Sequence, residues 1–182
     1  ADIARAAYAP PAGGLPGGLP PGLQATVYFD PPGPTFSGAV HVATVEVDAA
    51  TGRVAITRYV LVEDCGPVIN PMIVEGQIHG AVAQGIGEAL LEEIVHDADG
   101  QLLTGTLMDY ALPRAADVPS FEIGHLETPS PLMPGGAKGM GEGGTIGAPA
   151  AIANAVADAV GPLGVRIVSL PIHAQDLVRI RP

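Results

Sequence analysis

With 182 residues the chain is long enough for one domain or slightly more. Asp and Glu outnumber Lys and Arg by 19 to 8, a formal net charge of −11, so the surface repels phosphate backbones and nucleic acid is not an expected partner. Only 15% of the residues are charged, against roughly 25% in an average soluble domain, which points to a surface partly covered by other protein.

Residues 2–8 read as the end of a short helix. Residues 10–22 are dominated by Pro and Gly and have no regular structure of their own. Loops this long are uncommon unless functional or draped over a partner. Residues 1–24 are therefore expected to be a helix end and linker, and 25–182 a domain. Strand signals run over 23–29. The alternation in 40–47, with Val45 and Val47 flanking Glu46, turns at Ala50-Thr51-Gly52 and returns over 54–62, which predicts a β-hairpin. Cys65 is the lone cysteine. It can make neither an internal disulfide nor, alone, a zinc or iron–sulfur site, and reads as a small buried hydrophobe.

Asn70-Pro71 predicts a helix start, Asn70 capping free N–H groups and Pro71 suiting the first turn. Val74, Ile78, Val82, Ile86, Leu90 and Ile94 recur every fourth residue and define one face. Gly76, Gly80, Ala83 and Gly87 form a second stripe. Each helical Gly costs about 1 kcal/mol relative to Ala, so the stripe marks close approach of either another backbone or a ligand. Residues 96–100 read as a hairpin turn, 102–107 and 121–126 as strands, and 150–160 as an Ala-rich helix stopped by Gly161-Pro162. The apolar stretch 146–160 contains Pro149, Asn154 and Asp158, which argues against a membrane span. Residues 165–170 read as a final strand, and Pro171 as the start of a short helix. Strands and helices do not alternate regularly, so the expected class is α+β.

The strongest chemical signal is Gly135-Gly-Ala-Lys-Gly-Met-Gly-Glu-Gly-Gly-Thr-Ile-Gly147. Glycines at this density let backbone approach a ligand without Cβ clashes, and the loop feeds a helix N-terminus, where free N–H groups favour anions. Glu142 is its only acid and a candidate general base; an exposed helix-favouring acid is the plain alternative. Lys138 does not make a phosphate loop, because it follows Ala137 and precedes Gly139 rather than Ser or Thr. On the helix, Gln77, Gln84 and Glu88 share one side. Gln77 can donate and accept at once, as a heterocyclic cofactor edge requires, or it can be satisfied by backbone. His79 reads as a packed or capping histidine. His41, His96, His125 and His173 are scattered and carry no assignment.

Asp64-Cys-Gly with Ile69-Asn-Pro71, Glu75-Gly-Gln-Ile-His-Gly80 and Gly136-Ala-Lys-Gly-Met-Gly-Glu142 occur in this order. Val45-Glu-Val-Asp48 with Thr51-Gly52, Leu107-Met-Asp-Tyr-Ala-Leu-Pro113, Glu127-Thr-Pro-Ser-Pro131 and Asn154-Ala-Val-Ala-Asp-Ala159 accompany them. Together they resemble the C-terminal part of the molybdopterin-binding large subunits of the xanthine dehydrogenase, aldehyde oxidase and aerobic carbon monoxide dehydrogenase family. Departures are Ala81 in place of a frequent second Gly, Gly143 after the glutamate, and His173-Ala174 near the end. Gly143 leans toward the carbon-monoxide-dehydrogenase-like group.

The resemblance implies a molybdenum–molybdopterin cofactor, in its cytosine dinucleotide form, contacted by Gly76, Gln77, Gly80, Lys138, Gly139, Met140 and Gly141. It implies Glu142 as the base that activates water-derived oxygen, with metal ligands supplied by the cofactor and not by side chains. It implies FAD and iron–sulfur clusters on other domains or subunits, and as partners the remainder of the molybdenum subunit, an iron–sulfur subunit, a FAD subunit and a small-molecule substrate, in the cytoplasm. Aldehydes, N-heterocycles and carbon monoxide all fit as substrates. Family large subunits are several times longer, so the chain is expected to be active only when assembled. The alternative is a truncated, non-catalytic module that keeps the fold and serves assembly.

Overall fold

A computed structural model describes residues 1–9, 15 and 19–178. The chain divides into two compact units, Ala1–Pro32 and Gly33–Pro182. The first contains the short helix α1 (Asp2–Tyr8), and the Gly22 N–H donates to Ala7 O at 2.7 Å. Most of the expected linker lies outside the described residues. Residues 23–29 are extended but form no strand. Their alternation defines a strand-like surface, yet a strand also needs a neighbour to complete its ladder, and no described segment pairs with them. Val27 and Tyr28 are 85% and 94% exposed.

In the second unit, β1 (Gly38–Val47) and β2 (Val54–Asp64) form the expected hairpin. Asp48 closes its turn by accepting from the Ala50 N–H and the Thr51 hydroxyl, both at 2.8 Å. The register slips between Thr44 and Val45, leaving Thr57 as an extra residue in β2. Its hydroxyl donates to Thr44 O at 3.2 Å. This bulge switches the inward side of β2 from Val54 and Ile56 to Tyr59, Leu61 and Glu63. β3 (Phe121–Leu126) runs parallel to β2, giving the order β1-β2-β3.

Helix α2 (Pro71–Leu90) starts as expected, with Asn70 Oδ1 accepting from the Ile73 N–H at 3.3 Å. Val74, Ile78, Val82 and Ile86 form its buried face, whereas Ile94 lies beyond the helix and is 67% exposed. Helix α3 (Gly143–Val160) begins seven residues before the expected start and runs through Pro149. An interior proline costs about 3 kcal/mol. Full burial of Ile152, Val156 and Val160 returns roughly 1.5–3 kcal/mol per side chain, so the helix continues. Helix α3 with the turn that follows it is long and apolar enough to cross a membrane, but Ala148, Ile152, Val156 and Val160 belong to the core shared with Tyr59, Leu61, Ile78 and Val82.

Two further expected strands do not form. Residues 96–102 make a turn around Asp97, whose Oδ1 accepts from the Asp99 and Gln101 N–H groups at 2.9 and 2.8 Å. Only the single bridge between His96 and Leu102 follows. A local turn in which Thr106 O accepts from Tyr110 N–H takes the place of the rest of the strand. In 165–170, Val165 and Ile167 do pack inward and Val168 is 82% exposed, yet no ladder forms for want of a neighbouring strand. A short helix α4 (Ala174–Val178) closes the described chain. The architecture is the expected α+β class. Cys65 is buried, 4% exposed, and burial pushes its thiol pKa up, as befits a packed, unreactive residue.

Candidate functional site

Glu142 occupies the N-cap position of α3 with its side chain exposed and making no capping bond. The loop before it needs glycine at two points, Gly135 and Gly136, whose φ angles of 76° and 75° lie where other residues are strained. The backbone N–H of Lys138 donates to Cys65 O at 2.8 Å. The N–H groups of Gly139, Met140, Gly141 and Glu142 have no acceptor among the described residues. Four consecutive free donors ending at a helix start suit an anionic or acceptor-rich ligand. The Met140 side chain turns into the core, so only its backbone faces that way.

Asp64, at the end of β2, anchors this loop. Its Oδ1 accepts from the Gly66 and Thr128 N–H groups at 3.0 Å each and from Lys138 Nζ at 3.2 Å. One oxygen thus ties together the ends of β2 and β3 and the Gly-rich segment. The Thr128 and Gly66 bonds, followed by Lys138, hold the Asp64 carboxyl well below the usual carboxylate range. A lowered native pKa stabilises the fold above the unfolded value of about 3.9, and the contribution is lost progressively as pH falls below it toward the native value. Wild-type protein should therefore melt higher than Asp64→Asn by a constant margin at neutral pH, and the margin should shrink below about pH 4. Melting curves between pH 7 and pH 3 test this; a margin independent of pH would refute the charged anchor.

Beneath the start of α3 lies a second polar group. The Gly143 carbonyl can only accept, so His41 Nε2–H donates to it at 3.1 Å. In the neutral ring this leaves His41 Nδ1 to accept from the Tyr59 hydroxyl at 2.7 Å. Burial keeps the imidazole below its ordinary pKa, the Gly143 bond opposing, which agrees with a neutral ring. Glu63 is fully buried, and among the described residues neither carboxylate oxygen has a partner in good hydrogen-bond geometry. Burial, then the neighbouring Asp64 charge, raises its pKa, and the Ser37 side chain opposes them.

Helix α2 contributes the other wall. Gly144 of α3 sits against it so closely that a Cβ there would lie 2.7 Å from Ala81 Cβ and 3.0 Å from Ile78 O. Gln77 and Gly80 are the sequence neighbours of those contact positions, in the middle of α2. The expected glycine stripe does not behave as one unit. Gly76 and Gly80 have nothing within 4 Å of a would-be Cβ, while Gly87 packs against Glu92 and Pro113. The close helix contact falls on another face, where a Cβ on Gly85 would lie 2.5 Å from Ala148 Cβ. Gln84 pairs with Glu88 at 3.3 Å, and His79 is exposed, its ring tilted against Phe121 with centroids 5.0 Å apart.

No three His, Cys, Asp or Glu side chains among the described residues converge on a possible metal position. A cavity of about 330 Å³ opens elsewhere, lined by Arg53, Ile56, Leu90, Asp117 and Ile172 among others; none of its lining residues is a candidate above. Sequence reasoning missed His41 and Glu63 as parts of the site. Alternation hid Glu63, which has the parity opposite to Val54, Ile56, Val60 and Val62 and reaches the inner side only through the bulge at Thr57. His41 carried no signal, because its partner Gly143 lies 102 residues away.

The Molybdopterin cofactor-binding domain model matches residues 1–119. The chain is similar to the nicotine 6-hydroxylase large subunit of Paenarthrobacter nicotinovorans, 46% identical over 98% of this chain and 22% of that protein. It is 44% identical to the carbon monoxide dehydrogenase large chain of Hydrogenophaga pseudoflava, over 94% of this chain and 21% of that one. The solved structure of a Cu,Mo-CO dehydrogenase superposes with a TM-score of 0.87 at 37% identity, covering 98% of this chain and 22% of the other. The chain thus spans about a fifth of the length of the curated relatives it matches.

Proposed function

The chain belongs to the molybdopterin cofactor-binding domain family, and from that premise we propose that it forms one wall of a molybdenum hydroxylase active site, with Glu142 as the base. The observation that carries this reading is the exposed, uncapped Glu142 at the end of four free N–H donors. The donor set fits the group: acceptors such as pterin and phosphate oxygens match backbone N–H groups, and Gly76, Gly80, Gly139 and Gly141 all leave open the space a Cβ would fill.

In this reading the N–H groups of Gly139, Met140 and Gly141 donate to the cofactor. Lys138 holds their loop in place through Asp64 and Cys65. Gln77 offers its amide to a heterocycle edge, and Gly76 and Gly80 let that edge approach α2. When bound, the molybdenum–pterin group supplies the oxidising centre and acidifies water-derived oxygen. Glu142 takes the proton at its carboxylate. The cofactor is expected in the cytosine dinucleotide form, with iron–sulfur clusters and FAD on partner subunits or domains, in the cytoplasm. The substrate is an aldehyde, an N-heterocycle or carbon monoxide. The other walls of the site come from the remainder of the large subunit, which also covers apolar residues such as Ile69 and Met72, 84% and 77% exposed.

Size-exclusion chromatography with elemental analysis tests the shared site. Expressed alone, the chain should associate and hold no stoichiometric molybdenum; with the remainder of a large subunit it should become soluble and metal-loaded. Gly80→Leu should assemble yet lose loading, because its side chain enters open space reserved for the cofactor. A monodisperse monomer that takes up the cofactor unaided overturns the proposal, and so does full loading of Gly80→Leu.

A further inference from the structure

We propose that Glu63 is a positioning residue for Glu142: its carboxyl, sealed directly beneath Gly143, and the neighbouring His41 imidazole hold the turn that carries the base. The proposal rests on the role assigned to Glu142. A Cβ added at Gly143 would lie 2.5 and 2.6 Å from the two Glu63 oxygens. The carboxyl therefore fills the space a side chain at 143 would occupy. His41 holds the same residue by its carbonyl at 3.1 Å, and its ring also fills the space beside Gly147. The turn is thus gripped from below at Gly143 and one helical turn later.

The chemical state of Glu63 follows from its surroundings. A buried carboxylate opposed only by the weaker pull of the Ser37 side chain is expensive, and burial drives such a group toward taking up a proton. Among the described residues, the groups around it supply no compensating cation. On β1, His41 is held by Gly143 and Tyr59, and its burial disfavours the charged ring. On β2, Tyr59 is engaged by His41 and Asp64 carries a like charge that raises Glu63 further. In the loop, Lys138 is taken by Asp64, and at the start of α3 Glu142 is an acid. Glu63 is thereby shifted toward the neutral acid, held in one place by its burial. This also dictates a pH response. A native pKa above the unfolded value of about 4.3 makes stability greatest below that pH and lowers it as pH rises.

The test uses the assembled, cofactor-loaded enzyme and compares Glu63→Gln, Glu63→Leu, Gly143→Ala and the double variant Glu63→Ala with Gly143→Ala. Gln has the shape of the neutral acid, so Glu63→Gln should rescue kcat, and its melting temperature should exceed the wild type by a margin that grows above about pH 4. Leu preserves burial, and an apolar replacement of a buried polar group is usually tolerated by the fold. Glu63→Leu should nonetheless lower kcat by about 10-fold to 10²-fold, the scale of small misplacements of a reacting group. KM and molybdenum content should be unchanged, and amide hydrogen exchange over 139–147 should speed up by about tenfold. Gly143→Ala should speed that exchange too, and removing Glu63 in the double variant should reverse the effect. Wild-type kcat and exchange in Glu63→Leu overturn the proposal, as does a Gly143→Ala effect indifferent to Glu63. If Glu142→Gln leaves turnover intact, the base assignment fails instead, while exchange and the Gly143–Glu63 coupling still decide whether Glu63 holds the turn.

Discussion

In the assembled enzyme, Glu142→Gln is expected to keep its molybdenum and to lose at least about 10²-fold in turnover, the low end for a general base. Gln keeps the length and polarity of the side chain but cannot take a proton at working pH. Structural damage does not account for a loss of that size. Glu142 makes no capping bond and is exposed, and the attraction of its charge to the α3 N-terminus is worth only about 0.3–1 kcal/mol. No other acid lies between 135 and 147, and Glu63, the acid beneath the turn, is fully buried. The check is kcat per molybdenum, with metal measured on the same preparation. Near-normal turnover at full loading would remove Glu142 from the role of base.

A second large effect is expected at Gly85, on stability. Gly85→Leu must place a side chain where Ala148 Cβ is 2.5 Å and Pro149 Cδ 3.1 Å from the would-be Cβ. The obstacle is a rigid ring and a helix backbone, not the mobile end of a side chain. Overpacking costs typically 1–3 kcal/mol, and here the upper end or more is expected because α2 and α3 must separate. For a unit of this size, 3 kcal/mol is roughly 6–12 °C in melting temperature. Gly80→Leu, five residues earlier, adds its side chain to open space and replaces a poor helix former, a local gain of about 0.8 kcal/mol. Melting curves of the two variants, side by side, check the assignment of faces. A collapse of Gly80→Leu with a stable Gly85→Leu would place the helix contact on the wrong face.

The same pair shows how far sequence reasoning reaches. Glycines at 76, 80 and 87 announce that something comes close to α2, and the apolar four-residue rhythm announces its buried face. Which glycines meet a helix and which are left open depends on the crossing of α2 with α3, and no periodicity encodes that. The strand signals over 23–29 and 165–170 fail for a related reason. Alternation describes the two faces of a single segment, whereas a strand exists only if another segment supplies the ladder. Local signals did place the hairpin, the Asn70 cap, β3 and an acid at a helix start, because each depends on a few neighbouring residues. The ordered motifs from Asp64 to Glu142 identify the family without any structure.

The bulge at Thr57 marks the limit. Along 54–62, Val54, Ile56, Val60 and Val62 share one parity, and by alternation alone they would face the core with Arg58 among them. The structure inserts one unpaired residue opposite Thr44 and Val45, and because side chains alternate with a period of two, every later residue changes face. Arg58 turns outward, where it pairs with Glu122 at 2.7 Å, and Tyr59, Leu61 and Glu63 turn in. The sequence by itself determines the family and the class of fold, and it marks Glu142 as the lone acid of the Gly-rich segment. Only the tertiary structure decides that a second acid lies beneath the first, because a one-residue slip, fixed by pairing across the hairpin, sends Glu63 to the side of the sheet on which α3 begins.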